Sequence, residues 1–304
     1  MSAVHSRFAP DRRLTVRMVT VVFLLGLLYV AFIAALVVLL KSVVLVVVIA
    51  GGLLAAQYWY SDKIALFAMH AEEVSPEQQP HLHGAVDRLC AMADMPKPRV
   101  ALSRTDLPNA FATGRNADHA VLCVTSGLLA RLEPEELEGV LAHELSHVAH
   151  RDVAVITVAS FLGVIAGLVA RFALYSGLLG RGRRANPQVA LVLAAVMGIS
   201  VAVYALSFLL IRTLSRYREL AADRSAAQLT GRPSALASAL VKVSGDIARI
   251  PTKDLRTAQN FNAFFFAPTL GRERGLSNVL STHPTLQHRL DALAQISAQL
   301  GGPS

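Results

Sequence analysis

Charge is scarce in this chain. Asp, Glu, Lys and Arg make up 16% of 304 residues, against about 25% in ordinary soluble domains. Hydrophobic residues reach 54%, and the excess is gathered into long uncharged runs, the pattern of a membrane protein. Cysteine is also scarce. Cys90 and Cys123 are the two present, and they form no CxxC pair. That excludes a disulfide scaffold and a cysteine-based metal site, and both read as packed thiols in a reducing compartment. One acidic–basic imbalance remains, a net charge of +8. The Lys and Arg residues sit beside apolar segments and not along aromatic-studded strands. They therefore read as head-group contacts and topology signals, which excludes nucleic acid as a partner.

Residues 1–17 form a basic tail carrying Arg7, Arg12, Arg13 and Arg17. Met18 to Leu40 then runs 23 residues without a charge, where about 20 suffice to cross a bilayer. The run is too long for a signal-peptide core, and no small-residue cleavage site closes it. After Lys41, Ser42 to Tyr60 is a second uncharged run ending in the interfacial aromatics Tyr58, Trp59 and Tyr60. Residues 18–60 thus read as a transmembrane hairpin. Val153 to Ala170 and Ala185 to Ile211 are two further uncharged runs, giving a second hairpin over 153–211. The third run is short and ends at Arg171, a residue able to snorkel to the interface, and it reads alternatively as a buried or interfacial helix. Lys and Arg near the spans number nine on one side and five on the other. That places both termini and the segments 61–152 and 212–304 in the cytoplasm. The expected location is the plasma (inner) membrane, crossed several times.

The two cytoplasmic segments have mixed local character. Pro76 to Met95 has helical periodicity, Arg99 to Arg104 has strand character, and Asn109 to Gly114 and His119 to Thr125 read as two strands around the turn Arg115 to Asp118. Arg212 to Thr230, Ser234 to Ile250 and Pro284 to Leu300 read as helices. Pro251 to Leu280 is irregular, and its Phe264 to Phe266 cluster reads as packing. The fold class is α+β and mostly helical, with a small β-sheet and about four transmembrane helices.

Chemistry concentrates in Gly139-Val-Leu-Ala-His143-Glu144-Leu-Ser-His147. Pro134, the acidic residues Glu133, Glu135, Glu136 and Glu138, and the stripe Leu137, Val140, Leu141 and Leu145 predict a helix here. Positions four apart share a helix face, so His143 and His147 can place two imidazoles on one zinc ion. Glu144, beside the first ligand, is placed to take a proton from the attacking water. Chance produces this five-residue pattern in about one such chain per hundred, so the rest of the site has to support it.

A catalytic zinc usually has three protein ligands. The longer pattern with Gly three and His six residues past the second His fails, because His150 and Val153 occupy those positions. His150 reads instead as a polar helix-end residue. A glutamate from another helix is the remaining option, and Glu219 in Ser215-Arg-Tyr-Arg-Glu219-Leu-Ala-Ala-Asp223 lies among small residues. Spacing alone leaves Glu219 and Asp223 readable either as a ligand with its hydrogen-bonding neighbour or as an exposed acidic pair among arginines.

The His143-Glu-Leu-Ser-His147 motif after a short β-region resembles the HtpX membrane zinc metalloproteases. So do Glu219-x-x-x-Asp223 after a hydrophobic hairpin, Pro108-Asn-Ala-Phe-Ala-Thr-Gly114 upstream, and Thr282-His-Pro-x-x-x-x-Arg289 near the end. These are related more distantly to the CaaX prenyl proteases. The resemblance covers most of the chain, with an arginine-rich loop at Arg181, Arg183 and Arg184 as a departure. It implies a gluzincin-like domain binding one Zn2+ through His143, His147 and Glu219, with Glu144 as general base. It also implies Asp223 behind the ligands, His283 and Arg289 near the site with His283 donating to the developing oxyanion, and Asn109, Ala110, Phe111 and Ala112 as a substrate-binding strand. A strand edge binds extended peptides through main-chain hydrogen bonds, which suits sequence-tolerant cleavage.

The expected function is a zinc metalloendopeptidase of membrane protein quality control, with unfolded or damaged membrane proteins as substrates and the lipid bilayer as its medium. The rivals are a prenyl-protein protease and a non-catalytic adaptor that binds clients through the Asn109 strand. A transporter is disfavoured because the four spans contain no ionisable residue.

Overall fold

The computed structural model describes residues 12–40, 58–150, 187–247 and 284–300, with 48, 51–53, 55 and 56 in addition. The third uncharged run, the arginine-rich loop, the irregular segment with its phenylalanine cluster, and His283 lie outside the described residues. The chain divides into two compact units. One is built from segments 1–14, 61–154 and 215–304, the other from 15–60 and 155–214.

In the second unit, α1 spans Arg12–Leu40. A longer helix, α6, spans Pro187–Thr230 and contributes its first part, up to Leu214. Both contain stretches long and apolar enough to cross a membrane. Val19, Phe23 and Val30 of α1 and Leu191, Val201 and Leu209 of α6 point outward, as expected where lipid is the solvent. The sequence predicts a separate soluble helix from Arg212. Instead α6 continues without a break, because no Gly or Pro lies between Gly198 and Gly231 to stop it.

The other unit holds the sheet. Helix α2 (Ser61–Ala68) leads into strand β1 (Ala71–Glu73). Helix α3 (Pro80–Ala93) follows, with Leu82, Ala85, Val86, Leu89, Cys90 and Ala93 buried and Asp94 closing it in the left-handed conformation at φ 51°. It starts four residues later than Pro76, since residues 76–79 form turns onto Ser75. Strands β2 (Arg99–Ser103), β3 (Ala110–Thr113) and β4 (Val121–Thr125) complete a four-stranded sheet of order β1-β2-β4-β3. β3 and β4 pair antiparallel around a short 3₁₀ turn at Ala117–His119, as a hairpin should. β4 also pairs parallel with β2 and so separates it from β3. β1 has no strand signature in sequence. It forms by antiparallel pairing of Ala71, Glu72 and Glu73 with the free edge of β2.

A short helix α4 (Ser126–Leu129) and then α5 (Pro134–Ala149) follow β4. Helices α7 (Pro233–Ile247) and α8 (Leu286–Leu300) complete the described chain. α5 runs through the middle of the core with Val140, Leu141 and Leu145 fully buried. Each such side chain contributes about 1.5–3 kcal/mol. It packs on α7, α3 and β3. Gly139 permits a close approach to α7, since a Cβ there would lie 3.2 Å from the Leu236 Cα.

Candidate active site

The helix carrying the two histidines is fixed at its start. Glu136 accepts from the Glu133 N–H at 2.9 Å, from the Ser238 hydroxyl at 2.6 Å and from Lys242 at 2.7 Å, tying its first turn to α7. Two turns further on, His143, Glu144 and His147 are all buried. The imidazoles meet edge to face, with centroids 4.9 Å apart. From α6, Glu219 reaches them. Its Oε2 lies 3.5 Å from His143 Nε2 and its Oε1 3.6 Å from His147 Nε2.

Ligand atoms of His143, His147 and Glu219 therefore gather within 4.8 Å of one another. Zinc bonds to nitrogen and oxygen are about 2.0–2.1 Å, so ligands around a tetrahedral ion stand about 3.3–3.4 Å apart. The two histidine–glutamate separations, 3.5 and 3.6 Å, are close to that size. The donor set of two imidazoles and one carboxylate is also that of open catalytic zinc sites. The residues fit the metal.

Behind the first histidine, Asp223 Oδ1 lies 2.9 Å from His143 Nδ1. Nδ1–H donates to this carboxylate, which turns Nε2 toward Glu219 and the candidate metal position. Arg289, from α8, holds Asp223 in turn by a bidentate pair, Nε to Oδ2 at 2.7 Å and Nη2 to Oδ1 at 2.6 Å. Burial raises the Asp223 carboxyl, but Arg289 and His143 outweigh it and hold the group below the usual carboxylate range. Burial would lower the His143 imidazole, yet Asp223 and Glu219 raise it to about 9. Arg289 is fully enclosed. The positions read as two alternatives from spacing, Glu219 and Asp223, are thus both buried and turned onto His143.

Glu144 faces the sheet. The Ala112 N–H donates to its Oε2 at 3.1 Å. Burial pushes its carboxyl above the ordinary range, partly opposed by the two histidines, which makes it a stronger base near neutral pH. β3 lies at one end of the sheet. Asn109 gives its carbonyl to the Thr125 N–H at 3.0 Å and so faces β4. By strand alternation Phe111 does the same, while Ala110 and Ala112 turn their main-chain groups outward. The Phe111 side chain is packed under the sheet with Ala65, Ala101, Val121 and Cys123. Of the four strand residues read as substrate-binding, Ala110 and Ala112 are those with main-chain groups directed toward a partner strand.

Two contributors escape sequence reading. Arg218 is one of the nine basic residues that the sequence places on the cytoplasmic side of the spans. It is instead buried, with Nη2 3.4 Å from His147 Nδ1, and its place next to Glu219 is the signal that points to it. Thr125 is the other. Its hydroxyl donates to the Asn109 carbonyl at 3.0 Å and accepts from the N–H groups of Asn109 and Leu128, fixing the start of β3 to α4. His150 ends α5 with Nδ1 on the Ser146 carbonyl at 2.8 Å, in keeping with a helix-end residue.

A buried pair of histidines with a glutamate, a carboxylic acid beside them and a strand edge in contact with that acid define the metallopeptidase class. Comparison with known proteins agrees. Residues 76–297 match Peptidase family M48. The chain is 71% identical to Protease HtpX homolog 1 of Streptomyces coelicolor, over 98% of this chain and 97% of that one. It is 48% identical to the Protease HtpX homolog of Moorella thermoacetica, over 98% and 99%. The crystal structure of S. mikatae Ste24p shares the fold with a TM-score of 0.52 and 16% identity, covering 92% of this chain and 65% of that one. The chain belongs to peptidase family M48, in its HtpX group, and is a membrane metalloprotease.

Proposed function

We propose that the protein is a zinc-dependent endopeptidase of the inner membrane that cleaves unfolded or damaged membrane proteins on the cytoplasmic side. The observation that carries this reading is the contact between Glu144 and Ala112. It brings the acid–base group and the strand edge to one place. His143, His147 and Glu219 would hold one Zn2+, which polarises a peptide carbonyl and acidifies a coordinated water when bound. An extended substrate would pair with the main chain of Ala110 and Ala112, setting its scissile carbonyl beside Glu144. Glu144 would take a proton at its carboxylate and pass it to the leaving amine. Asp223 and Arg289 would keep His143 in the tautomer that frees Nε2. His283 would donate to the oxyanion.

Segments 18–60 and 153–211 would supply four spans, with 61–152 and 212–304 forming a split protease domain behind the basic tail 1–17. In this reading the second hairpin begins at Val153, six residues after His147. Sequence-tolerant main-chain recognition close to lipid suits loops and frayed ends of membrane proteins. The test sets substrate classes against each other in proteoliposomes: an unfolded membrane protein, casein, and a prenylated peptide beside its unmodified form. The proposal expects cleavage of the first two and no advantage from the prenyl group. A strong preference for the prenylated peptide contradicts it.

A further inference from the structure

Helix α2 is apolar on two opposite faces. Its inner face is accounted for. Ala65 packs under the sheet with Ala101, Phe111, Val121 and Cys123, and Leu66 and Met69 close around them. The same face carries Asp62, whose Oδ2 lies 2.6 Å from Arg99 Nη2 at the start of β2. The Met69 carbonyl just beyond the helix accepts from the Ser103 hydroxyl at 2.6 Å. A helix held this way in water turns a polar face outward. Here the outward positions are Lys63, Ile64 and Phe67, with Ile64 54% and Phe67 81% exposed. Phenylalanine is seldom left that open on a solvated helix.

We infer that α2 lies in the membrane interface as a lipid-facing helix, with Ile64 and Phe67 inserted at the boundary between head groups and acyl chains. Three features select lipid as the occupant. The stripe follows directly in sequence on an uncharged run, Ser42 to Tyr60, that is long enough to approach a full span. That run ends in Tyr58, Trp59 and Tyr60, the residue types that settle at head-group depth. The charge on the outward face is a lysine, whose flexible stem lets its ammonium reach phosphate while the neighbouring side chains stay in hydrocarbon.

This inference rests on the proposed membrane protease reading and sharpens it. Phe111 of β3 belongs to the same layer that Ala65 of α2 supports. The sheet would therefore lie on the interfacial helix, with β3 about 10 Å above it, the ordinary spacing of packed layers. A chain emerging from the bilayer would reach Ala110 and Ala112 within about three extended residues, at about 3.3 Å each. The edge strand would thus select substrates by their distance from the membrane as well as by their lack of structure.

The test uses the full chain in nanodiscs, with Phe67→Cys labelled by an environment-sensitive fluorophore and Met92→Cys on α3 as a second labelled site. The native thiols of Cys90 and Cys123 are buried, and burial pushes them up to about 11 and about 12, so they stay unlabelled near neutral pH. The label at 67 should shift to the blue and be quenched by lipids carrying a nitroxide high on the acyl chain. The label at 92 should respond to aqueous iodide instead. Iodide quenching at 67 equal to that at 92 overturns the inference, and so does shielding of 67 from both quenchers, which would mean protein covers it. A second variant, Phe67→Asp, should lower cleavage of a bilayer-tethered substrate severalfold while leaving casein cleavage in detergent unchanged. Wild type that fails to cleave casein would refute the protease reading alone, because the quenching result stands without catalysis.

Discussion

The main-chain N–H of Ala112 donates to the Glu144 carboxylate at 3.1 Å, so the end strand of the sheet and the proposed base are in direct contact. The contact sets the height of the carboxylate above the strand on which a substrate would lie. Replacing Ala112 by Pro removes this donor, at a position whose N–H does not serve the β4 ladder. The expected result is a fall in kcat/KM of about tenfold or more, equivalent to about 1.4 kcal/mol of transition-state stabilisation. Bound zinc should be unchanged. Steady-state kinetics beside metal analysis of the purified variant checks both.

Arg289 and Asp223 form a fully buried bidentate pair behind His143. Arg289→Ala leaves an acidic group enclosed without its cation, a change that costs about 3–5 kcal/mol in comparable pairs. Arg289→Lys keeps the charge but loses the planar fork. Both variants should bind zinc more weakly, within the roughly 10- to 100-fold range for lost outer partners of metal ligands. Lys should be the milder of the two, and its thermal midpoint should lie between wild type and Ala. Chelator competition and thermal unfolding in detergent measure the two effects.

Gly127 sits where the loop before β3 crosses α4. A Cβ there would run into the Asp106 carbonyl, and the Gly127 N–H donates to the Thr105 carbonyl at 2.8 Å. Gly127→Ala must displace the loop that delivers Asn109 and the strand behind it. A loss of about 1–3 kcal/mol in stability is expected. KM for an unfolded substrate should rise more than kcat falls, because the proposed substrate strand moves while the proposed metal ligands on α5 and α6 do not. A fall in kcat with KM unaltered would contradict this division.

Asp62 of α2 is bound to Arg99 of β2. Burial raises its carboxyl, but the Arg99 hydrogen bond and neighbouring main-chain N–H groups outweigh this and depress it. A depressed folded value means the unfolded chain binds the proton more readily. The stabilisation is therefore present above the ordinary aspartate range and is lost as pH falls below about 4. Asp62→Asn should cost about 0.5–1 kcal/mol at neutral pH, and the difference from wild type should vanish toward pH 3. Thermal midpoints measured across that range test the sign.

Much of this organisation is legible in the residues. The helix bearing His143 and His147 announces itself through Pro134, its acidic first turn and its apolar stripe. β3 and β4 follow from their alternation and intervening turn. Other features depend on long-range pairing that local pattern does not carry. β1 is Ala-Glu-Glu, which has little strand preference and forms because β2 offers a free edge. The parallel pairing of β2 with β4 joins segments separated in sequence by β3 and a 3₁₀ turn. Glu219 is ambiguous by spacing because an acidic residue among arginines describes a solvated helix equally well. Burial of that segment against α5 settles its surroundings, and Arg218 moves with it from the surface to the site.

The central claim is that peptide hydrolysis depends on Glu144 at a zinc held by His143, His147 and Glu219. Its most direct test is casein cleavage by detergent-purified wild type and Glu144→Gln, each with its zinc content measured in the same sample. The account predicts one zinc per chain in both proteins, chelator-sensitive cleavage by wild type, and loss of at least about 100-fold in rate for the variant. Equal cleavage by the two proteins at equal zinc content would contradict it.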